Sequence, residues 1–149
     1  MENFPRQAPK ATAEELKDRQ SFLMKTPPFQ FLPRTEIEIA AANIIYENHI
    51  PGRILYFQEE TIITHILIVK SGSLERIIEH DGKQSVKEIL EAGRTYGGIS
   101  LLFNNGISTS TVRCMTEASV FLLDRDNFYR LCIKYSAFAR FFSSTFHET

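Results

Sequence analysis

From Ile44 onward the apolar residues stop recurring at helical spacing and begin to alternate. They do so in short runs at 44–50, 54–57, 62–71, 73–79, 85–90, 110–115 and 119–124. Such runs read as strands with one face in a core. Turn residues separate them: Pro51 and Gly52, Ser71 and Gly72, Asp81 and Gly82, Ala92 and Gly93, Asn104 to Gly106, Thr116 and Glu117. Residues 80–83, His-Asp-Gly-Lys, form a hairpin tip, because Asp-Gly accepts the positive φ that tight hairpin turns demand. Many short, evenly spaced strands predict an antiparallel sandwich or barrel rather than a parallel sheet.

Helical periodicity brackets this region. A first helix starts at Thr12 or Ala13, carries Glu14 and Glu15 in its first turn, and ends before Pro27 and Pro28. Leu16, Gln20, Leu23 and Met24 share its apolar stripe, while Glu14, Glu15, Lys17, Asp18 and Arg19 form a solvated face. Phe29, Phe31 and Leu32 make a compact apolar link. A second helix opens at Pro33 or Arg34 and runs to about Asn43, with Ile37, Ala40, Ala41 and Ile44 on one side. Residues 1–12, with Pro5 and Pro9, are expected to be loose. After the strands, Asp126 reads as an N-cap ahead of Phe128, Leu131 and Cys132. Residues 135–147 then place Tyr135, Phe138, Phe141, Phe142 and Phe146 at helical spacing. A helix this aromatic needs a cover: its own barrel, a second copy, or further domains.

Residues 94–112, R-T-Y-G-G-I-S-L-L-F-N-N-G-I-S-T-S-T-V, are the candidate site. Gly97 and Gly98 permit a tight path and close approach by a ligand. Ile99, Ser100, Leu101 and Leu102 continue as one or two helical turns, whose first N–H groups suit an anion. Ser108, Thr109, Ser110 and Thr111 add hydroxyl donors. A plain strand–turn–strand is the competing reading of the same residues. Other chemistry finds little support. His49, His65, His80 and His147 show no metal-ligand spacing, and neither a nucleophile elbow nor a Walker loop is present. Cys114 and Cys132 read as reduced, buried thiols. A net charge of −1 gives no general pull toward nucleic acid or anionic lipid. With no membrane-length apolar run and no secretory leader, a cytoplasmic, non-enzymatic protein is expected.

The order of elements, together with two motifs, resembles the cyclic nucleotide-binding domain family over residues 29–142. Residues 66–72, I-L-I-V-K-S-G, are similar to the family's apolar quartet and turn glycine. Residues 51–59 are similar to its leading strand, and residues 94–112 to its phosphate-binding cassette. The resemblance implies a mainly β fold with flanking α. This is an antiparallel β-roll or jelly-roll barrel (a double-stranded β-helix), with N-terminal helices, a short cassette helix and C-terminal helices. It divides the chain into a tail and helix at 1–28 and a domain at 29–149, with the β-roll at about 44–124 and the last helices at about 126–147. It implies no cofactor, and it makes cyclic AMP or cyclic GMP the expected ligand, held by Gly97, Gly98, Ile99, Ser100, Ser108, Thr109 and Ser110. Two positions depart from the family. Gly98 stands where the family's glutamate holds the ribose 2′-hydroxyl, and Ser108 stands where its arginine pairs with the cyclic phosphate. Losing two hydrogen bonds to charged groups costs roughly 3–6 kcal/mol, or about two to four decades of affinity. Arg113, the nearest cation, lies on the opposite strand face. Arg94 precedes the cassette glycines and could swing in, although both read first as surface residues. The implied role is a regulatory module within a larger bacterial signalling protein, binding a cyclic nucleotide weakly or another small anionic ligand. The alternative is a degenerate module for dimerisation or docking through the aromatic C-terminal helix. The chain leaves no room for a helix-turn-helix after that helix, so no DNA contact is expected. The ending Y-S-A-F-A-R-F-F resembles domains that precede cystathionine-synthase-type repeats and a nucleotidyltransferase domain.

Overall fold

The computed structural model of the chain describes residues 10–146. The expectations for residues 1–9, for the Phe146 side chain and for His147 lie outside the described residues. Helix α1 (Ala13–Met24) is opened by a capping box in which Thr12 and Glu15 satisfy each other's backbone N–H. A 3-10 turn (Phe29–Phe31) and helix α2 (Arg34–Asn43) follow. Eight strands then form two four-stranded antiparallel sheets: β1 (Ile45–His49), β2 (Ile54–Tyr56), β3 (His65–Ser71), β4 (Leu74–His80), β5 (Lys83–Leu90), β6 (Thr95–Tyr96), β7 (Thr111–Cys114) and β8 (Ala118–Asp124). Strand order is β1-β8-β3-β6 in one sheet and β2-β7-β4-β5 in the other. The short helix α3 (Gly98–Phe103) interrupts the strands between β6 and β7. Helices α4 (Arg125–Lys134) and α5 (Ser136–Phe146) complete the described chain.

The expected apolar quartet is the centre of the core. Ile66, Leu67, Ile68 and Val69 lie on β3 between β8 and β6 and are buried. The hairpin tip forms as expected, with His80 opposite Lys83 and positive φ at Asp81 and Gly82. Residues 62–64 are not strand; Ile62 makes one isolated bridge to Ile107, and β3 begins only at His65. Ile37, Ala40, Ala41 and Ile44 are buried together, as their spacing requires.

Three local expectations are corrected. Arg19 does not belong to the solvated face of α1. It is buried, donates to the carbonyls of Ala41 at 3.5 Å and Ile44 at 3.3 Å, and lies over the Phe121 ring. It thus satisfies carbonyls at the C-terminus of α2, which a helix end leaves open. Met24, expected in the apolar stripe, is exposed, and Leu23 carries the contact instead. The N-cap of α4 is Asp124, not Asp126: its carboxylate accepts from the Asn127 N–H at 3.1 Å. Asp124 is also the last residue of β8, so strand passes into helix with no residue between.

The aromatic C-terminal helix is covered by its own domain. Phe138 and Phe142 are buried, with edge-on contacts from Phe138 to Phe29 (5.3 Å) and from Phe142 to Phe128 (5.0 Å) and to Phe138 (5.4 Å). Such pairs add about 0.5–1.5 kcal/mol each beyond burial. Glu36 ties α2 to the same end of the molecule. Its carboxylate is buried and accepts from Arg130 and from the Tyr135 hydroxyl, each at 2.9 Å. The hydrogen bond from Arg130 holds its pKa below the ordinary carboxylate value, against the opposing pull of burial.

Candidate functional site

A cavity of about 680 Å³ brings the cassette together with β4, β5 and α5. That volume falls in the range of small-molecule sites. Gly97, Gly98, Ile99, Ser100 and Thr109 all line it, so the diglycine turn shares one hollow with Thr109 of the serine–threonine run. Gly97 caps α3 at φ 112°, a left-handed conformation that calls for glycine. The N–H groups of Gly98, Ile99 and Ser100 form the first turn of α3, where no helical carbonyl takes them. The Ser100 hydroxyl accepts from the Thr109 N–H at 3.3 Å, tying the helix to the chain that leads into β7.

The two glycines have different reasons to be there. A Cβ on Gly98 would lie 2.3 Å from Cδ1 and 2.8 Å from Cε1 of Phe142. No side chain fits at 98 while that ring is in place. The absence of a glutamate is therefore a packing matter: the Phe142 ring of α5 fills the space a longer residue needs.

Ser108 and Ser110 do not line the cavity as expected. Both are fully buried and belong to a closed ring of hydrogen bonds with Tyr96. The Ser110 N–H donates to the Tyr96 hydroxyl at 3.0 Å. Tyr96 and Ser108 hydroxyls meet at 2.8 Å, and Ser108 Oγ donates to the Ser110 carbonyl at 2.7 Å. With Tyr96 donating to Ser108, every donor in the ring is used. Strand β6, which presents Tyr96, is the element the alternation pattern did not reveal.

Apart from Arg94, the charge in the cavity comes from outside the cassette. Arg76 and Ile78 reach it from β4, Lys87 and Glu88 from β5, and Arg94 from the approach to β6. Three cations and one carboxylate give the lining a net charge of +2. Arg76 is directed by three contacts: its register partner is Glu88, its Nε donates to Glu88 Oε1 at 3.1 Å, and its Nη1 donates to Ser110 Oγ at 3.1 Å. Arg94 is a surface residue, more than half exposed, and it also turns in to line the cavity, donating to the second oxygen of Glu88. Arg113 faces away, as expected, where its Nε donates to Glu75 at 2.8 Å.

Arg76 is the residue the sequence reading missed. A signal was available in strand alternation. Leu74, Arg76 and Ile78 share one face of β4; Leu74 is buried and the other two meet the cavity. An arginine at an inward strand position needs a partner or a ligand. Among the described residues, no group of three or more His, Cys, Asp or Glu is placed to hold a metal ion, and no helix is long and apolar enough to cross a membrane.

Comparison with known proteins agrees with this geometry. One curated relative is the HTH-type transcriptional regulator Cmr of Mycobacterium tuberculosis, 28% identical over 109 residues. The match covers 73% of this chain and 44% of that regulator, so the chain spans less than half of the relative's length. Among solved structures, the regulatory domain of Toxoplasma gondii PKA with cAMP superposes with a TM-score of 0.74 at 20% identity, over 81% of this chain and 46% of that one. The sensor domain of the transcriptional regulator DNR from Pseudomonas aeruginosa gives 0.77 at 13% identity, over 91% and 90%. At such identities these two establish the fold alone. The family model described as the cyclic nucleotide-binding domain matches residues 47–135. With β2 to α4 inside that match and the glycine-led helix α3 in its cassette position, the chain belongs to the cyclic nucleotide-binding domain family.

Proposed function

We propose that the chain is a non-enzymatic sensor module of a larger bacterial signalling protein, acting in the cytoplasm and binding a small phosphate-bearing ligand in the 680 Å³ cavity. Cyclic AMP and cyclic GMP are the first candidates. The observation that carries this reading is Arg76: a guanidinium held by Ser110 and Glu88 stands in the same cavity as the cassette. It restores a cation that Ser108 does not supply. One charged hydrogen-bonding group restored leaves one missing, a deficit of about 1.5–3 kcal/mol, or about one to two decades of affinity. The reading is that of a weak site, in the micromolar to millimolar range for cyclic nucleotides.

Titration calorimetry with cyclic AMP, cyclic GMP and cyclic dinucleotides up to millimolar concentration tests it, with Arg76→Ala alongside. Saturable heat that Arg76→Ala abolishes is expected. No heat from any of these ligands refutes it.

A second reading draws on Phe142. A ring that occupies the side-chain space at 98 also suits a module whose pocket is closed and whose task is docking to partner domains or a second copy. Ile133, 87% exposed on α4, is then the natural contact. Sedimentation that shows a monomer at high concentration, unchanged by Ile133→Asp, argues against self-association.

A further inference from the structure

We propose that Glu88 is a built-in competitor for the anion seat of this cavity. Its carboxylate bridges Arg76 and Arg94, and the phosphate of an incoming ligand takes its place between the two guanidinium groups. This rests on the ligand-binding reading above and adds the residue that sets its affinity.

The geometry is that of a carboxylate held as a bound anion is held. Arg76 Nε donates to Oε1 at 3.1 Å, and Arg94 Nη2 donates to Oε2, so each oxygen of Glu88 has its own arginine. The second edge of Arg76 is fixed by Ser110 Oγ at 3.1 Å. Arg76 is therefore positioned independently of Glu88 and keeps its orientation when the carboxylate leaves. Arg94 is more than half exposed and is able to follow a new partner.

Glu88 itself is free to leave. It lies on β5, the edge strand of its sheet, and its side chain is 29% exposed. The β4–β5 register passes from Arg76 opposite Glu88 to Ile77 opposite Val86, which leaves Lys87 without a cross-strand partner. This bulge turns both Lys87 and Glu88 to the cavity. When Glu88 swings to solvent, three cations remain in the lining. Part-exposed carboxylate–arginine pairs contribute little to stability. Arginine pairs with phosphate are among the strong charge-assisted contacts. The ligand class is therefore an anion with a compact phosphate, and each binding event has to displace one carboxylate.

The test is titration of cyclic AMP, and separately of 5′-AMP, into the wild-type protein, Glu88→Gln, and Arg76→Ala/Glu88→Gln. Glu88→Gln is expected to bind the preferred nucleotide about tenfold more tightly, which corresponds to ~1.4 kcal/mol. The double variant should lose that gain. Equal or weaker binding by Glu88→Gln, where wild type binds, overturns this inference and leaves the ligand-binding reading intact. No heat in any of the three proteins overturns both. A measurement on the unmodified protein guards against a misfolded variant: the Glu88 side-chain carboxyl 13C resonance, followed to saturation with ligand. A shift toward the solvent-exposed value is expected, and an unmoved resonance at saturation refutes the exchange.

Discussion

Gly98 and Phe142 form a steric pair whose coupling is large enough to reverse the sign of a mutation. Replacing glycine by alanine inside a helix normally stabilises, by about 0.8–1.0 kcal/mol. Gly98 is the first residue of α3, so alanine there should help. The Cβ it adds, however, would lie 2.3 Å from Cδ1 of Phe142, closer than any real contact allows. Phe142 is buried against Phe128 and Phe138 and cannot yield without opening that cluster. Overpacking of this kind costs about 1–3 kcal/mol, so Gly98→Ala should destabilise the wild-type protein. Phe142→Ala alone should cost about 3–5 kcal/mol as a large-to-small core change. In the Phe142→Ala background the obstruction is gone, and Gly98→Ala should then stabilise by up to ~1 kcal/mol from helix propensity alone. The assay is urea unfolding of the four proteins of this double-mutant cycle at one temperature, comparing midpoints at constant m-value. A coupling of at least about 1 kcal/mol is expected, well outside the additivity of distant sites. If Gly98→Ala stabilises the wild-type protein, Phe142 does not occupy that space, and the account of why glycine stands at 98 is wrong. The same contact bears on Gly98→Glu with Ser108→Arg, the change that would rebuild the family's charged pair. It should unfold the module rather than create affinity, because 98 is filled and Ser108 is buried.

Tyr96→Phe removes the acceptor of the Ser110 N–H and breaks the buried ring with Ser108. A loss of about 1–3 kcal/mol is expected in chemical unfolding; an unchanged midpoint contradicts the ring. Glu36→Gln should cost about 1.5–3 kcal/mol at neutral pH, less than a fully buried pair because Arg130 is partly exposed. Because the folded pKa of Glu36 is depressed, its contribution is present above the unfolded value near 4.5 and is lost as pH falls below it. The melting-temperature difference between wild type and Glu36→Gln should therefore shrink from pH 6 to pH 3; a constant difference refutes the assignment. Cyclic AMP and 2′-deoxy cyclic AMP should bind within about twofold of each other in calorimetry. The one carboxylate in the cavity lining, Glu88, is paired with two arginines in the free protein and turns to solvent, not to a ribose hydroxyl, when a phosphate displaces it. Strong preference for the ribonucleotide contradicts this.

What the sequence made legible is what neighbouring residues decide. Most strand runs, the Asp81–Gly82 hairpin and the start of α1 after Thr12 depend on local period and turn chemistry, and they stand where expected. The N-cap of α4 lies two residues before the one the sequence suggests, because Asp124 ends β8 and caps α4 with no loop between them. The site was harder. Arg19 is buried by carbonyls of α2, Arg94 is drawn to Glu88, and Ser108 is turned inward by a tyrosine on a two-residue strand too short to show alternation. A hydroxyl or a guanidinium is tolerated on either face of an element, so its orientation follows from partners that local pattern does not reveal. Gly98 is the clearest case, since its reason lies on a helix formed much later in the chain.

The seamless junction at Asp124 has a mechanical consequence. Helix α4 is carried by β8 as a beam fixed at one end, and a single residue, Tyr135, joins it to α5. Any reorientation of α5 is then angular, about one pivot, and the hydroxyl of that pivot is clasped by Glu36. Over a lever about 16 Å long at 1.5 Å per residue, a turn of about 20° displaces the far end by about 6 Å.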